Sequence, residues 1–465
     1  MMGYFERTKI AKILVDDRVP LNQKVLIFGW VRTVRSSRNV AFIEINDGSC
    51  VGNLQAVIND PDSFPALKDI LTGASVRLSG RLIESPAEGQ KYELSVEELQ
   101  LIGPADQTYP LQKKRHSFEY LREIAHLRPR TNTFGAVNRM RSRIAYAIHK
   151  YYQERGFFYI HSPIITASDC EGVGEMFRVT TFDLNKAPTK DAEIDFGQDF
   201  FGAETYLTVS GQLEAEIAAL ALSDVYTFAP TFRAENSNTA RHASEFWMIE
   251  PEMAFCNLQE NMDVAVDFLK NIFRYALEEC ADDMAFFGQW IDKTLRETLE
   301  HVIESDFERL PYTEAVKLLE NSKENFEFPV GWGKDLQSEH ERYLTEKVFR
   351  KPVIVYDYPK IIKAFYMRVN DDEKTVAAMD VLVPKIGEII GGSQREERYD
   401  VLMAHMKEKG MNPDLYGWYF DLRKYGSAPH SGFGLGFERT LMYMTGISNI
   451  RDVLPFPRVP RWAKF

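Results

Sequence analysis

Between Asp224 and Phe255 the chain reads DVYTFAPTFRAENSNTARHASEFWMIEPEMAF, and this stretch limits the possible folds more than any other. In its second half Trp247, Ile249, Pro251, Met253 and Phe255 alternate with Phe246, Met248, Glu250 and Glu252. A strand has a side-chain period of two, so the first set covers one face and the second lines the other. The first half predicts a companion strand with Arg233 and Glu235 on a common face. Between them, Asn236 to Ser244 forms a polar loop carrying Arg241 and His242. A solvated sheet face with surface ion pairs is the plain reading. An Arg and three Glu on one surface suit better a site for a charged, planar ligand.

With 465 residues, the chain can form two or more domains around large cores. The net charge of -12 excludes a generally basic nucleic-acid coat, but not a local basic track. No apolar run is long enough to span a membrane, and MMGYFERTKI lacks the apolar core of a signal peptide. Cys50, Cys170, Cys256 and Cys280 lie far apart, with no Cys-x-x-Cys pair. That argues against zinc ribbons and a disulfide framework, and it predicts a cytoplasmic protein.

From about Leu21 to Gly103, five short strand patterns follow one another: KVLIFGWVRTVR, VAFIEIND, LQAVIND, ASVRLSGRLIES and KYELSVEELQLIG. Gly, Asn, Asp and Pro separate them, which predicts a small closed barrel of the oligonucleotide-binding type. The connection after Trp30 carries Arg32, Arg35 and Arg38, and the next strand opens with Phe42. Arginine beside an aromatic suits single-stranded nucleic acid; a solvated loop and a core Phe are the alternative. Residues 105–130 read as a basic linker or hinge. Residues 131–465 read as a second domain. In it, Val137, Met140, Ile144, Ile148 and Tyr151 keep helical spacing until Gly156, and FFYIHS then predicts a strand stopped by Pro163. This helix and strand either pack against a second copy or are plain core.

Further on, DCEGVGEMFR sets glycines beside carboxylates, which suits a lid over a ligand's amino group, with Glu171 the best candidate; an ordinary surface loop is the alternative. Ser210 stands as an N-cap before the helix QLEAEIAALAL. Residues about 257–350 read as charged helices without chemistry. Asp380 falls on a strand, Glu388 past a turn, and Arg395 after a Gly pair. Two such carboxylates can hold Mg²⁺, which takes its remaining oxygens from phosphate; a turn with surface charges is the alternative. Gly432, Gly434 and Gly436 alternate along a strand, leaving one face bare for a flat ligand. Glu438 and Arg439 sit in the first turn of the next helix, where an Arg is misplaced unless an anion compensates it.

Three stretches together resemble the signature motifs of class II aminoacyl-tRNA synthetases. Gly156 to Pro163 resembles the dimer-forming motif 1. Phe232-Arg233-Ala234-Glu235, with the loop to Phe246, resembles motif 2, and Gly432-Phe433-Gly434-Leu435-Gly436-Phe437-Glu438-Arg439 resembles motif 3. The barrel points to the subclass of aspartyl, asparaginyl and lysyl enzymes. FRAENSNTARHASEFWMIEPEMAF, SGQLEAE and GEIIGGSQREER resemble its bacterial asparaginyl group. The likeness covers essentially the whole chain. It implies an α+β fold: an N-terminal five-stranded OB-fold β-barrel over residues 1–104, then a catalytic domain with an antiparallel β-sheet flanked by helices.

The resemblance also implies roles. Arg233 grips the α-phosphate and the substrate carboxylate, and Arg439 covers adenine and reaches the γ-phosphate. Glu235, His242, Phe246, Glu388, Gly436 and Glu438 complete the ATP site. Asp380 and Glu388 hold Mg²⁺. Glu171, Gln212, Glu250, Glu252 and Arg395 receive L-asparagine. Arg35, Phe42 and Gln55 read the anticodon of tRNA(Asn). Aspartyl enzymes carry a Lys shortly after the residue matching Gln212; Leu213-Glu214-Ala215-Glu216 has none. The alternatives are an aspartyl enzyme, a non-catalytic RNA-binding relative, and an ammonia-dependent asparagine synthetase on the same fold.

Overall fold

A computed structural model of the chain describes residues 4–170, 176–237 and 239–465. It comprises two compact units: residues up to 142 with 280–291 and 465, and residues 143–279 with 292–464.

In the first unit, helix α1 (Ile10–Leu14) precedes five strands, β1 (Lys24–Ser36), β2 (Ala41–Asn46), β3 (Leu54–Ile58), β4 (Ser75–Glu84) and β5 (Tyr92–Gly103). They close a barrel in the order β1-β2-β3-β5-β4. Alternation builds its core: Ile27, Ile43, Ile45, Leu54, Ala56, Leu78 and Leu94 are fully buried. At Gly80 a Cβ would lie 2.1 Å from the Ser95 carbonyl oxygen, so only glycine lets β4 and β5 meet there. β1 stays paired with β2 as far as Ser36, so Arg32 and Arg35 belong to the strand and not to the connection. Arg35 faces Phe42, Glu44 faces Gln55, and Gln55 faces Glu93 across successive ladders. Paired residues share a face, so Arg35, Phe42 and Gln55 occupy adjoining rows outside the barrel. Gln55 donates to Glu93 at 2.9 Å. The basic stretch after the barrel carries α2 (Phe118–Glu123) and a small core of Leu111, Leu121 and Phe134.

Helix α3 (Asn132–Glu154) leads the chain into the second unit. A short strand, β6 (Phe158–Tyr159), follows. β7 (Ile165–Thr166), β8 (Arg178–Val179) and β11 (Thr205–Leu207) make a three-stranded sheet, and β9 (Thr189–Lys190) pairs with β10 (Glu193–Ile194). Then come α4 (Gln212–Leu222), β12 (Asp224–Phe232) and β13 (Glu245–Ala254). Helices α5 (Leu258–Glu279), α6 (Ala281–Trp290), which belongs to the first unit, and α7 (Leu295–Glu304) follow. After them run β14 (Glu308–Pro311), α8 (Tyr312–Glu320), α9 (Ser338–Tyr343) and β15 (Val353–Pro359). β16 (Thr375–Val383), β17 (Gly387–Gln394), α10 (Tyr399–Glu408), α11 (Gly417–Lys424), β18 (His430–Gly436) and α12 (Phe437–Thr445) complete the unit.

The main sheet has eight strands in the order β14-β15-β16-β17-β18-β13-β12-β6. Its six central strands are antiparallel, as expected, whereas β14 and β6 add parallel edges. β14 interrupts the stretch read as wholly helical; at four residues it leaves no periodic signal. Helix α5 is amphipathic and packs Met262, Ala265, Phe268, Leu269 and Ile272, all fully buried, on the unit's core. No helix among the described residues is long and apolar enough to cross a membrane. All four cysteines are buried, and none of them is in a disulfide.

Candidate active site

β12 and β13 pair from Asp224–Met253 to Phe232–Glu245, so the alternation read in the sequence becomes two faces of a central sheet. The strand ends at Phe232, three residues earlier than expected; the Arg233 N–H still bonds the Ser244 carbonyl, but Glu235 already lies in the loop. Both nevertheless wall a cavity of about 190 Å³ with His242, Phe246, Glu388 and Arg439. The Arg233 guanidinium lies 5.5 Å from the Phe246 ring centre. The His242 ring meets the Thr239 hydroxyl at 2.5 Å, which folds the loop on itself. Arg439 opens α12, and its guanidinium donates to the Glu388 carbonyl at 3.1 Å. Glu438 is buried and accepts the Trp247 N–H at 2.9 Å, bracing β13 against the helix start.

A second cavity of about 230 Å³ adjoins the first; Arg233, Met248, Glu388 and Gly434 line both. Its far end holds Gln212, Glu250, Glu252 and Arg395. Arg395 forks onto Glu252 through Nε at 3.0 Å and through Nη2, with both side chains almost wholly buried. Burial drives the Glu252 carboxyl upward, and the charge and hydrogen bonds of Arg395 oppose that rise. Glu250 accepts from the Ser210 hydroxyl, the Gly211 N–H at 2.9 Å and the Thr227 hydroxyl at 3.1 Å. Gly211, not Ser210, is the N-cap of α4; the Ser210 hydroxyl instead accepts the Gln212 N–H at 3.1 Å.

The glycines of β18 serve neighbouring side chains more than a flat ligand. β13 pairs Glu252 with Gly432 and Met248 with Gly436. A Cβ on Gly432 would lie 2.3 Å from the Glu252 carboxyl, and one on Gly434 would lie 2.7 Å from the Met248 methyl. The expected bare face is therefore filled at Gly432. Gly434 and Gly436 still line the first cavity.

Asp380 on β16 and Glu388 on β17 flank Gly391, whose Cβ would sit 3.5 Å from one carboxylate and 3.1 Å from the other. Lys363 donates to Asp380 at 2.8 Å. Burial and then Asp380 raise the Glu388 carboxyl, with Arg439 opposing. Two hard oxygen donors beside a cavity fit Mg²⁺, which binds few protein oxygens. Among the described residues no cluster of three or more metal-ligating side chains exists, so water and phosphate oxygens would supply the rest of such a shell.

Glu341 carries no signal in the sequence. It reaches the site from α9, where its carboxylate accepts the Glu388 N–H at 3.1 Å. Burial, then Glu388 and Asp380, push it up to about 8. Gly387 is required beside it, because φ is +82° there and a Cβ would meet the Glu341 oxygen at 2.3 Å. From the same helix, the Ser338 hydroxyl accepts from Arg241 of the loop at 2.7 Å. Glu171 lies outside the described residues.

The model of class II tRNA synthetases (D, K and N) matches residues 118–460, and that of the OB-fold nucleic acid binding domain matches residues 25–102. The chain belongs to the class II tRNA synthetases.

This synthetase is 60% identical to an asparagine–tRNA ligase of Nostoc sp., over 98% of its own length and 99% of the relative's. It is 60% identical to another of Geotalea uraniireducens, over 99% and 100%. Its fold matches the asparaginyl-tRNA synthetase of Pyrococcus horikoshii complexed with asparaginyl-adenylate, with a TM-score of 0.84 and 33% identity over 98% of this synthetase and 99% of that chain. The fold brings together Arg233, Glu235, His242, Phe246, Glu388, Gly436, Glu438 and Arg439 at one cavity. Gln212, Glu250, Glu252, Asp380, Glu388 and Arg395 meet at the next. Arg35, Phe42 and Gln55 gather on the barrel.

Proposed function

We propose that this synthetase activates L-asparagine with ATP and transfers it to the 3′-end of tRNA(Asn). One observation supports this reading above the others: Arg233 walls both cavities. An anionic phosphate entering from one side and an anionic carboxylate from the other would meet at one guanidinium. The carboxylate oxygen attacks the α-phosphorus, a new C–O–P linkage forms, and the bond to pyrophosphate breaks. Arg233 and Arg439 neutralise the charge that builds on the phosphoryl oxygens. No side-chain nucleophile is needed, because the substrate supplies it and the site positions it. Asp380 and Glu388 would hold Mg²⁺, which supplies further charge neutralisation on phosphate oxygens. The tRNA 3′-hydroxyl then attacks the acyl carbonyl and AMP leaves.

Phe246 and the 236–244 loop take the adenine. At the other end Arg395 donates to the side-chain oxygen of asparagine and Glu252 accepts from its NH₂. Glu252 is the better acceptor of the two glutamates, because Arg395 uses two of its lone pairs while Glu250 already accepts three donors. An aspartate carboxylate offers no donor and would be repelled by Glu252.

Residues 1–104 form the anticodon-binding domain, 105–130 the linker, and 131–465 the catalytic domain with a helical insertion at about 257–350. Arg35, Phe42 and Gln55 read the anticodon. A homodimer through α3 and β6 suits the exposure of Tyr146 (61%) and Phe158 (54%). The enzyme acts in the cytoplasm.

Pyrophosphate exchange with each amino acid tests the assignment. Asparagine should support exchange, and activity with aspartate alone would overturn the reading. Phe42→Ala should weaken tRNA charging by roughly tenfold, the worth of one stacked base, while exchange stays intact. An equal fall in exchange would remove the barrel's assigned role.

A further inference from the structure

Glu216 lies one helical turn after Gln212 on α4, so both side chains share a face. Gln212 Nε2 donates to Glu216 Oε1 at 3.0 Å. The other Glu216 oxygen accepts from Arg423 Nη2 at 2.8 Å and the Tyr419 hydroxyl at 2.8 Å, and meets His430 Nε2 at 3.0 Å. The Glu216 and Arg423 side chains have no exposed surface. These partners come from α11 and β18, about two hundred residues along the chain, and converge beneath the cavity that Gln212 and Arg395 line.

We propose that Glu216 is a positioning residue that sets amino-acid specificity, by orienting the Gln212 amide and by cancelling the buried charge of Arg423. The proposal rests on the assignment of that cavity to the amino acid. An ionised carboxylate only accepts hydrogen bonds, so the NH₂ end of Gln212 must face it. The Gln212 carbonyl is then the group left for the substrate, and an acceptor there suits a donor-bearing ligand.

Burial alone would raise the Glu216 carboxyl, but Arg423 and His430 hold it well below the usual carboxylate range. Arg423 is thus paired with Glu216, and Arg395 with Glu252. Each pair is neutral in itself, and cations already paired in this way favour a neutral amide. Removing Glu216 leaves one surplus buried cation, and a cation draws a carboxylate side chain. A purely structural ion pair would change both amino acids alike.

Exchange assays on the full chain with asparagine and aspartate test this. In Glu216→Gln, the preference for asparagine over aspartate in kcat/KM should fall by about tenfold or more, mostly through KM. Glu216→Gln with Arg423→Gln restores neutrality, and its preference should return to within about threefold of the parent. An unchanged preference in the single variant, or one lowered as far in the double, overturns the proposal. Should Glu216→Gln melt out of the folded state, Arg423→Gln alone reads the opposite sign: aspartate should compete against asparagine about tenfold more weakly. Equal or stronger competition refutes the idea. If the parent chain prefers aspartate, the proposed function fails. If it prefers asparagine and the variants shift both amino acids equally, only the role of Glu216 fails.

Discussion

Arg233 and Arg395 stand on the walls of adjoining cavities, and their surroundings differ. Arg233 is half-buried, with the Phe246 ring beside it, and it shares its cavity with Ser237, Arg241 and His242 of the loop. Arg395 is 3% exposed and locked in a two-bond fork with Glu252, which is fully buried. Arg439 repeats the first pattern at 35% exposure, and Arg423 repeats the second with none. Cations at the nucleotide half face a space that phosphate can enter. At the amino-acid half Arg395 and Arg423 are each already matched by a carboxylate, so that half is built for dipoles. Half-buried charge strengthens binding of an anion; fully paired charge instead imposes geometry on a neutral ligand.

The largest expected effect falls on the nucleotide half. Arg233→Ala should lower pyrophosphate exchange by about 10³-fold, the scale seen when a preorganised donor to a charged transition state is lost. Its melting temperature should move little, because the side chain is only half-buried. Normal exchange in this variant would erase its role at the junction of the cavities.

The second effect reverses the balance. Glu252→Gln leaves Arg395 buried beside a neutral amide and should cost about 3–5 kcal/mol in urea unfolding. Arg439→Ala should cost less than about 1 kcal/mol in the same measurement while harming activity. Similar losses in both variants would show that the two halves are not differently built.

This contrast also explains what the sequence could disclose. The barrel strands and β13 were legible because inward and outward residues largely alternate along them, and a period of two has few other meanings. Asp380, Glu388 and Arg439 were legible from their positions at strands and a helix start. The glycines of β18 were misjudged at Gly432, because only the register with β13 shows that the Glu252 carboxyl fills that space. Glu341 gave no signal, since it reaches Glu388 from a helix of the 257–350 stretch. Glu216 lies one turn after Gln212 on α4. Its meaning depends on Arg423 and His430, whose approach no local pattern records. Local periodicity reveals elements; pairing between distant elements decides which charges are spent inside the protein and which remain for a ligand.

The smallest expected effect probes the support behind the amino-acid half. Val209, Leu213, Phe365, Tyr366, Leu402, Met406 and Tyr419 form one apolar cluster there. His405 sits on α10 between Leu402 and Met406 and is 2% exposed. Burial first, then Lys360 and Lys409, lower its imidazole from 6.5 to about 4. A base with a depressed folded value binds its proton better in the unfolded chain. Its neutral form therefore costs nothing above pH 6.5, and stability declines as pH falls from 6.5 towards 4. At pH 5.5 the loss is at most about 1.4 kcal/mol. His405→Leu removes the titrating group and keeps an apolar side chain in the cluster. The stability of this variant relative to the parent should rise by about that amount between pH 7 and pH 5.5 in urea unfolding. Measuring the difference cancels the carboxylates that titrate in both proteins, and a difference independent of pH would show that the cluster holds no such buried base.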